Sequence, residues 1–523
     1  MDITLLDCTL RDGGYINNWL FSNKNINMIY ENLSLSKVDY IELGYIDKNA
    51  SNNINSTKFN SFDSIKQMKI NKKSVCMIDY GKFPIEEVPN RKDTNLWGIR
   101  LAFSKNNLIE ALNYCNLLKK KGYKVFIQPM VTKLYSTKEL EFLFNEANKI
   151  NPYAIYIVDS FGSMDEKTVI KLLKQYDKYL NKSIKIGFHS HNNLSLAYSN
   201  SISFIKNRNN RKIIIDSSVY GIGRGAGNLP TELITSYLNQ AYSNEVYKSY
   251  YLLEIVNNYL LDLKKKNNWG YCLEYYLSAI NDCHPNYSKY LSEMHTMTIN
   301  DMQKILKKIS DNKRSKFDKE YITELYESYM NNDIDDTKSY QQLKHILSNK
   351  KLILLGSGPS INKYKDKIIS EIDNKSIVIS VNNINKLFNT DYVFISNRRR
   401  FSDIKEKETI KIISTSNIEC KFSRLIFNYI DNLATEYENS DNSLLILLNI
   451  LMKINVETVY LAGFDGLDFN VEKNYYNQEL EYVIEREKIK KTNKLMKKYL
   501  NLYSKKIEIN WLTKSNYQKE ELK

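Results

Sequence analysis

The chain has 523 residues, a formal net charge of +15 and 42% hydrophobic residues. That length exceeds one ordinary domain, so we expect two domains with separate hydrophobic cores. Most of the positive excess is lysine scattered among other residue types, which disfavours a nucleic-acid-binding protein. The six cysteines form no Cys-x-x-Cys pair, and no apolar run approaches the ~18 residues of a membrane span. We therefore expect reduced thiols in a cytoplasmic protein.

Short apolar segments alternate with longer amphipathic segments through the first half of the chain. This alternation predicts eight parallel strands separated by helices, which is the pattern of a closed (β/α)8 TIM barrel. The predicted strands are residues 2–7, 38–44, 74–79, 97–102, 124–129, 153–158, 184–189 and 213–219. In such a barrel, the side chains that perform chemistry gather at the carboxyl ends of the strands.

A metal-site pattern follows two of the predicted strands. Arg11 and Asp12 follow the first strand, and a cation beside a hard oxygen ligand suits an enolate held on a divalent metal. An isolated Arg-Asp pair is usually an ordinary salt bridge. Here His189 and His191 follow another strand, and residues i and i+2 of a strand point to the same side. With Asp12 they would form a two-histidine, one-carboxylate face that leaves metal positions open for substrate.

Five segments of the first domain carry a family resemblance. They are Asp7-Cys8-Thr9-Leu10-Arg11-Asp12-Gly13, Ile41-Glu42-Leu43-Gly44, Asp159-Ser160-Phe161-Gly162, His189-Ser190-His191 and Gly221-Ile222-Gly223-Arg224-Gly225-Ala226-Gly227-Asn228-Leu229-Pro230-Thr231-Glu232. They resemble the metal-dependent barrel enzymes that include 4-hydroxy-2-oxovalerate aldolase, hydroxymethylglutaryl-CoA lyase and isopropylmalate synthase. The resemblance implies a TIM barrel over residues 1–287. It also implies that Asp12 and the two histidines bind a divalent metal such as Mn or Mg, that Asn228 is a further ligand, and that Arg11 stabilises a pyruvate enolate.

Other polar residues near the predicted strand ends are candidates for substrate binding. Glu42 is expected either to pair with Arg11 or to have a plain structural role. Arg100 would either neutralise a substrate carboxylate or complete an internal ion pair. Gln128 would hydrogen-bond the substrate or be satisfied internally. Ser160 is a candidate for binding the carboxylate of the keto acid.

The chain departs from the aldolases at the residue that transfers the proton. Those enzymes place an acid/base histidine directly after the metal aspartate, whereas the corresponding residue here is Tyr15. A phenol with an ordinary pKa near ~10 is a poor base at neutral pH. We therefore expect either Tyr15 or a later residue to move the proton, and His284 is the later candidate. The alternative role for His284 is that of a helix-capping residue.

The rest of the chain predicts a connector and a second domain. Residues 288–345 are polar, lysine-rich and helical in pattern, so we expect a helical connector there. Residues 346–523 open with an apolar strand at 351–355, followed by the sequence Gly-Ser-Gly-Pro-Ser. This pattern predicts a doubly wound, Rossmann-like fold in which small residues let phosphate or ribose approach backbone amides. The third glycine of the dinucleotide fingerprint is missing, so NAD is disfavoured.

Further strands of the second domain are predicted at 376–381, 391–396 and 458–462. The domain resembles bacterial sialyltransferases and archaeal 6-hydroxymethylpterin diphosphokinase-like proteins in its Gly-x-Gly-Pro-Ser turn and strand-end asparagines. The resemblance implies a site for a nucleotide or nucleotide sugar. The predicted contacts are Gly356, Ser357, Gly358, Asn382 and Asn397. No convincing general-base histidine follows residue 345, which weakens the case for glycosyl transfer.

Together these patterns predict a two-domain enzyme. The barrel would be a divalent-metal-dependent aldolase that makes or breaks a carbon-carbon bond next to a 2-keto acid, with an aldehyde as partner. Its fusion to a nucleotide-binding domain suggests a shared pathway, such as assembly of a cell-surface sugar. The alternatives are an acyl-CoA condensing transferase of the isopropylmalate synthase type and a barrel kept as a scaffold for a nucleotide-binding module. The sequence leaves open the metal, the aldehyde and whether the protein is a homo-oligomer.

Overall fold

The structure is a computed structural model of a mixed α/β protein. It describes residues 2–66, 68–241, 243, 245–404, 408–434, 442–468, 473–481 and 486–518. The chain divides into two compact units. Unit 1 comprises Met1–Lys289 and Ile309–Phe317, and unit 2 comprises Tyr290–Lys308 and Asp318–Lys523. The segment predicted as a connector therefore contributes residues to both units.

Unit 1 is built on nine strands in its described residues, and eight of them close into a parallel barrel. The strands are β1 (Ile3–Asp7), β2 (Tyr40–Ile46), β3 (Lys58–Phe59), β4 (Ser74–Asp79), β5 (Gly98–Phe103), β6 (Lys124–Pro129), β7 (Ala154–Asp159), β8 (Lys185–Ser190) and β9 (Ile213–Ser217). The order around the barrel is β1-β2-β4-β5-β6-β7-β8-β9, and β9 pairs with β1 to close it. The short β3 pairs only with β2. The predicted eight-stranded parallel barrel is confirmed, and each strand lies within two residues of its predicted bounds.

Helices separate the barrel strands and continue through the second half of the chain. Those up to residue 294 are α1 (Thr9–Asp12), α2 (Gly14–Asn17), α3 (Asn23–Leu35), α4 (Phe62–Lys66), α5 (Leu108–Lys120), α6 (Thr137–Ile150), α7 (Glu166–Tyr179), α8 (Ala197–Lys206), α9 (Thr231–Ala241), α10 (Ser249–Ile255), α11 (Leu261–Lys266), α12 (Leu273–Ile280) and α13 (Pro285–Met294). Those that follow are α14 (Ile299–Lys307), α15 (Lys319–Met330), α16 (Thr337–Leu347), α17 (Ser360–Lys363), α18 (Lys365–Glu371), α19 (Arg398–Asp403), α20 (Ser443–Lys453) and α21 (Arg486–Tyr503). Among the described residues, no helix combines the length and apolarity needed to cross a lipid bilayer.

Helix α6 shows how the local sequence determines the outer layer of the barrel. Ser136 caps its first turn by accepting a hydrogen bond from the backbone of Glu139, whose side chain accepts one from the backbone of Ser136. This reciprocal pair satisfies two amides that the helix leaves free. The buried residues of α6 recur every three or four positions, so one face packs against the strands. They are Leu140, Leu143, Phe144, Ala147 and Ile150.

Residues inside the barrel alternate with residues that face the helices. One buried apolar cluster contains Leu6, Tyr40, Phe126, Tyr156 and Ile214, which come from five strands. Because side chains alternate along a strand, residues two positions further on face the same way. On three of these strands those positions carry the polar residues Glu42, Gln128 and Asp216, whereas the other two positions, Cys8 and Val158, belong to the same apolar cluster. The interior is therefore apolar at one end and largely polar at the carboxyl end, which we call the barrel mouth.

Unit 2 contains a second parallel sheet. Its strands are β10 (Lys351–Leu355), β11 (Ser376–Val381), β12 (Tyr392–Ile395), β13 (Ile412–Thr415), β14 (Ser423–Phe427), β15 (Thr458–Ala462) and β16 (Glu508–Trp511). Their order is β14-β13-β12-β11-β10-β15-β16. The predicted strands correspond to β10, β11, β12 and β15, whereas β13, β14 and β16 were not predicted. Chain order reverses its direction across the sheet at β10, so the carboxyl ends of β10 and β15 border a crevice.

Candidate functional site

The barrel mouth brings Asp12, His189 and His191 together. One potential ligand atom from each residue lies within 4.8 Å of the other two, and all three side chains are buried. The two imidazole rings meet edge to face, with their centroids 5.1 Å apart. The structure therefore assembles the three residues that the sequence predicts as metal ligands, from the first turn after β1 and the end of β8.

The electrostatics of this cluster suit metal ligation. Burial by itself raises the pKa of Asp12, but the neighbouring Arg11 guanidinium is the main opposing influence, and that pKa lies well below its usual range. Arg11 Nη1 donates a hydrogen bond to Asp12 Oδ1. Burial lowers the pKa of His191 to about 3. At neutral pH the cluster thus presents a carboxylate and a neutral imidazole, which are the forms that bind metal ions.

Asp216 belongs to the site but is absent from the sequence analysis. Its Oδ2 atom lies 2.9 Å from His189 Nδ1, and it also accepts a hydrogen bond from Arg100. A carboxylate on one ring nitrogen fixes the tautomer and the orientation of a metal-ligating histidine. The available sequence signal was a single acid that follows three isoleucines within one apolar strand.

Two arginines inside the barrel share the carboxylate of Glu42. Arg11 Nε donates to Glu42 Oε2 at 2.8 Å, and Arg100 Nη1 donates to the same oxygen at 2.7 Å. Arg100 is fully buried and also pairs with Asp216. When the Gln128 amide is turned so that its oxygen faces Arg100, this oxygen accepts from Nη2 and Nε at 3.1 and 3.2 Å. These contacts favour an internal ion pair for Arg100 and internal hydrogen bonds for Gln128. For Glu42 they favour pairing with Arg11.

Asn228 contacts the aspartate of the cluster. Its Nδ2 atom donates to Asp12 Oδ2 and, at 3.1 Å, to the carbonyl oxygen of Ile222. Its buried Oδ1 atom has no hydrogen-bond partner among the described residues. A Cβ atom at Gly223 would lie 2.3 Å from Asn228 Nδ2 and 2.7 Å from Asp12 Oδ2, so glycine allows this loop to approach. An unsatisfied amide oxygen beside a carboxylate and two imidazoles fits a divalent cation.

Ser160 lies in the loop after β7. Its Oγ atom accepts a hydrogen bond from the backbone amide of Val131 at 2.9 Å. Its carbonyl oxygen accepts one from Arg224 Nη2 at 3.0 Å. These contacts hold neighbouring loops of unit 1 together at the barrel mouth, where the sequence analysis expects the substrate carboxylate.

The two candidate proton-transfer residues have different surroundings. The Tyr15 hydroxyl lies 3.3 Å from the Tyr45 hydroxyl, and desolvation of the Tyr15 hydroxyl raises its pKa although the ring is partly exposed. Burial lowers the pKa of His284 to about 3, and its Nδ1 atom accepts a hydrogen bond from the backbone amide of Asn286 at 3.2 Å. The latter contact is that of a helix-capping residue, since Asn286 lies in the first turn of α13. Tyr15 alone is a weak base, so it needs a route for the proton.

A separate cavity lies in unit 2. It has a volume of about 300 Å³ and is lined by all five predicted nucleotide contacts. They are Gly356, Ser357, Gly358, Asn382 and Asn397. The turns after β10 and β15 form part of its wall, so the cavity lies in the crevice where the strand order reverses. The start of α20, residues 442–445, forms another part.

Residues that the sequence analysis did not assign also line this cavity. His295, from the segment predicted as a connector, is among them, as are Arg400 and Asp465. Asn397 Nδ2 donates to the carbonyl oxygen of His295 at 3.1 Å. No local pattern identified His295, because it reaches the cavity from the chain segment that precedes the sheet.

The buried arginine of the barrel provides a stability test. In the Arg100→Met variant, Glu42 and Asp216 lose a buried positive partner, so we expect the free energy of unfolding to fall by about 3–5 kcal/mol. Urea unfolding followed by tryptophan fluorescence measures it. Three of the four tryptophans lie in unit 1; they are Trp19, Trp97 and Trp269.

The matched control is Lys167→Met, which removes an exposed positive charge in α7. We expect it to change the free energy of unfolding by less than about 0.5 kcal/mol. A loss below about 1 kcal/mol in the Arg100→Met variant would contradict a structural role for the ion pairs.

Unit 1 is similar in sequence to known proteins. Residues 99–258 match the HMGL-like family. The 4-hydroxy-2-oxovalerate aldolase of Geobacillus genomosp. 3 is 27% identical over 46% of this chain and 71% of its own length. That of Pseudoalteromonas translucida is 25% identical over 50% of this chain and 76% of its own length.

One solved structure is the N-terminal domain of a Bacteroides vulgatus protein provisionally described as an aldolase. It is 30% identical, with a TM-score of 0.49, and the match covers 57% of this chain and 98% of that domain. Unit 1 is a TIM barrel that matches the HMGL-like family over residues 99–258 and has 4-hydroxy-2-oxovalerate aldolases among its homologues.

Proposed function

We propose that unit 1 is a divalent-metal-dependent aldolase that makes or breaks a carbon-carbon bond next to a 2-keto acid through a pyruvate-type enolate. The observation that carries this proposal is the convergence of Asp12, His189 and His191 beside the Arg11 guanidinium. The names of the homologues support a lyase, and 4-hydroxy-2-oxovalerate is the first substrate to test.

The residues of the cluster have complementary roles in this proposal. A divalent ion such as Mn²⁺ or Mg²⁺, held by Asp12, the two histidines and Asn228, supplies a Lewis acid for the keto and carboxylate oxygens. Arg11 Nη2 is buried and has no hydrogen-bond partner among the described residues. Because Glu42 and Asp12 hold the other guanidinium nitrogens, this atom is positioned to donate to the developing enolate oxygen.

The remaining candidates act around this centre. Ser160 orients the substrate carboxylate. Arg100 and Gln128 act through Glu42 and Arg11, since their contacts lie inside the barrel. Tyr15 receives the proton of the substrate alcohol, and His284 is the second candidate for proton transfer.

Hydrogen exchange into pyruvate tests the aldolase proposal. We expect the full chain with Mn²⁺ or Mg²⁺ in heavy water to place deuterium in the methyl group of pyruvate, because enolisation needs no second substrate. Proton NMR measures the rate. A chelator or the Asp12→Ala change should lower it by about 100-fold or more, since the charge on the enolate loses its stabilising partner.

The control for this experiment is Asp63→Ala, which removes an exposed carboxylate from α4 and should leave the exchange rate unchanged. Absence of exchange in the wild-type protein with every hard divalent ion tested would contradict the aldolase. That result would favour the acyl-CoA condensing transferase or the scaffold barrel.

A second proposal concerns unit 2, which we infer to be a Rossmann-like domain that binds a nucleotide or nucleotide-linked sugar. The specific observation is that five residues predicted independently from sequence line one cavity at a reversal of strand order. A Cβ atom on Gly358 would lie 2.5 Å from the Asp465 side chain, so the turn accepts only glycine without a shift. Arg400 supplies positive charge for a phosphate. The proposed role in a carbohydrate or cell-surface polysaccharide pathway rests only on the presence of both units in one chain.

Calorimetric titration of the full chain with CMP, UMP, AMP and their diphosphates tests this second proposal. We expect one of them to bind, and Arg400→Gln to weaken its Kd by about 10-fold through loss of a charge-assisted hydrogen bond. Arg424→Gln is the control, because Arg424 is exposed on β14 and lies outside the cavity lining. Lack of heat from every nucleotide at about 1 mM would contradict nucleotide binding.

A further inference from the structure

Three polar side chains form a continuous row at the barrel mouth. Tyr15 lies in α2, Tyr45 lies in β2 and Asp79 ends β4. The hydroxyl oxygens of Tyr15 and Tyr45 are 3.3 Å apart, and Tyr45 Oη donates to Asp79 Oδ1 at 3.2 Å. None of the three is a candidate metal ligand. Two of them, Tyr45 and Asp79, have no assigned role in the proposed chemistry.

The single hydrogen of a tyrosine hydroxyl fixes the direction of this row. Tyr45 donates its hydrogen to Asp79, so its oxygen can only accept from Tyr15. Tyr15 is then the donor in the first contact, and its oxygen keeps lone pairs that can accept one more hydrogen. Each hydrogen in the row therefore points from Tyr15 towards the carboxylate.

The row lies in the wall of the barrel mouth beside the proposed enolate site, and both of its ends are more exposed than Tyr45 in its middle. Tyr15 is 38% exposed, whereas Tyr45 is 7% exposed. Trp19 packs against both rings, with centroid distances of 4.8 and 5.8 Å, and its Nε1 atom donates to the carbonyl oxygen of Arg11 at 2.9 Å. The Arg11 guanidinium carbon lies 6.0 Å from the centre of the Tyr45 ring. These contacts hold the row next to the residue that would stabilise the enolate.

Asp79 is a suitable end point for a proton. Burial raises the pKa of Asp79, and the charges of Arg11, Arg224 and Lys82 oppose that rise. A carboxylate whose pKa lies above the usual range is a better proton acceptor than an exposed aspartate. Two phenols between a substrate and this carboxylate would connect them without a water molecule.

We propose that Tyr15, Tyr45 and Asp79 are a proton relay for cleavage of a 4-hydroxy-2-keto acid. The inference rests on the aldolase function proposed above, and it identifies Asp79 as the group that finally accepts the proton passed on by Tyr15. The alcohol hydrogen of the substrate passes to Tyr15 Oη, the Tyr15 hydrogen passes to Tyr45, and the Tyr45 hydrogen passes to Asp79.

The electrons balance in this step. The alkoxide electron pair forms the aldehyde carbonyl, the C3–C4 bond breaks, and its electron pair enters the pyruvate enolate. The enolate takes a proton from water at C3. The proton on Asp79 returns along the relay to solvent through Tyr15. Tyr15 is the catalytic residue that touches the substrate, and Tyr45 and Asp79 act through it.

Two reactions that share the enolate separate this relay from a structural role. Cleavage of 4-hydroxy-2-oxovalerate requires loss of an alcohol proton, whereas decarboxylation of oxaloacetate forms the same enolate without one. We expect Tyr15→Phe, Tyr45→Phe and Asp79→Asn each to lower kcat for cleavage by about 100-fold or more. Metal-dependent decarboxylation, corrected for the free ion, should stay within about two-fold of the wild-type rate.

The matched control is Tyr114→Phe, which removes another tyrosine hydroxyl of unit 1. That hydroxyl donates to the carbonyl oxygen of Phe83 at 3.0 Å, outside the relay. It should change neither reaction. Circular dichroism and metal binding confirm that each variant is folded.

Several outcomes would overturn the relay. One is an equal loss of both reactions in the three variants, which would mean that the row only holds Arg11 in position. A second is unimpaired cleavage by Asp79→Asn. A third is a wild-type protein that decarboxylates oxaloacetate but cleaves no 4-hydroxy-2-keto acid of any chain length tested. A wild-type protein inactive in both reactions, and in pyruvate exchange, would remove the aldolase proposal and the relay with it.

Discussion

A buried network of opposite charges joins the wall of the barrel to its candidate active site. Glu42 lies between Arg11 and Arg100, and Asp216 joins Arg100 to His189. Charges inside a protein are costly unless each is paired, so the barrel depends on these contacts being made together. The same contacts orient Arg11 for an enolate and His189 for a metal ion. Stability and proposed chemistry therefore rest on one set of side chains.

Much of the barrel could be predicted because buried parallel strands are continuous apolar runs. Asp12 and His191 were identifiable since they follow such runs in a known order of motifs. Asp216 was missed because a single acid within an apolar strand does not by itself indicate a site, and its partner Arg100 is 116 residues away. Tyr15, Tyr45 and Asp79 lie in three different elements of the fold, so no local sequence pattern predicts that they form a row.

Unit 2 also has features that local sequence patterns did not predict. The turn after β10 has a recognisable glycine pattern, and its residues do line a cavity. The strands β13, β14 and β16 mix polar residues with apolar ones, so they lack the continuous apolar run that predicted β10. His295 reaches the cavity from a segment with the composition of a connector. Contacts between distant segments thus complete both candidate sites.

The proposed chemistry requires the barrel mouth to hold one divalent ion through Asp12, His189 and His191. Electron paramagnetic resonance of Mn²⁺ titrated into the full chain measures it most directly, because free and bound ions give different signals. We expect one tightly bound ion per chain, a changed spectrum when pyruvate is added, and loss of the bound signal in a folded His189→Ala/His191→Ala variant. Equal Mn²⁺ binding by that variant and the wild-type protein would show that these histidines do not hold the ion.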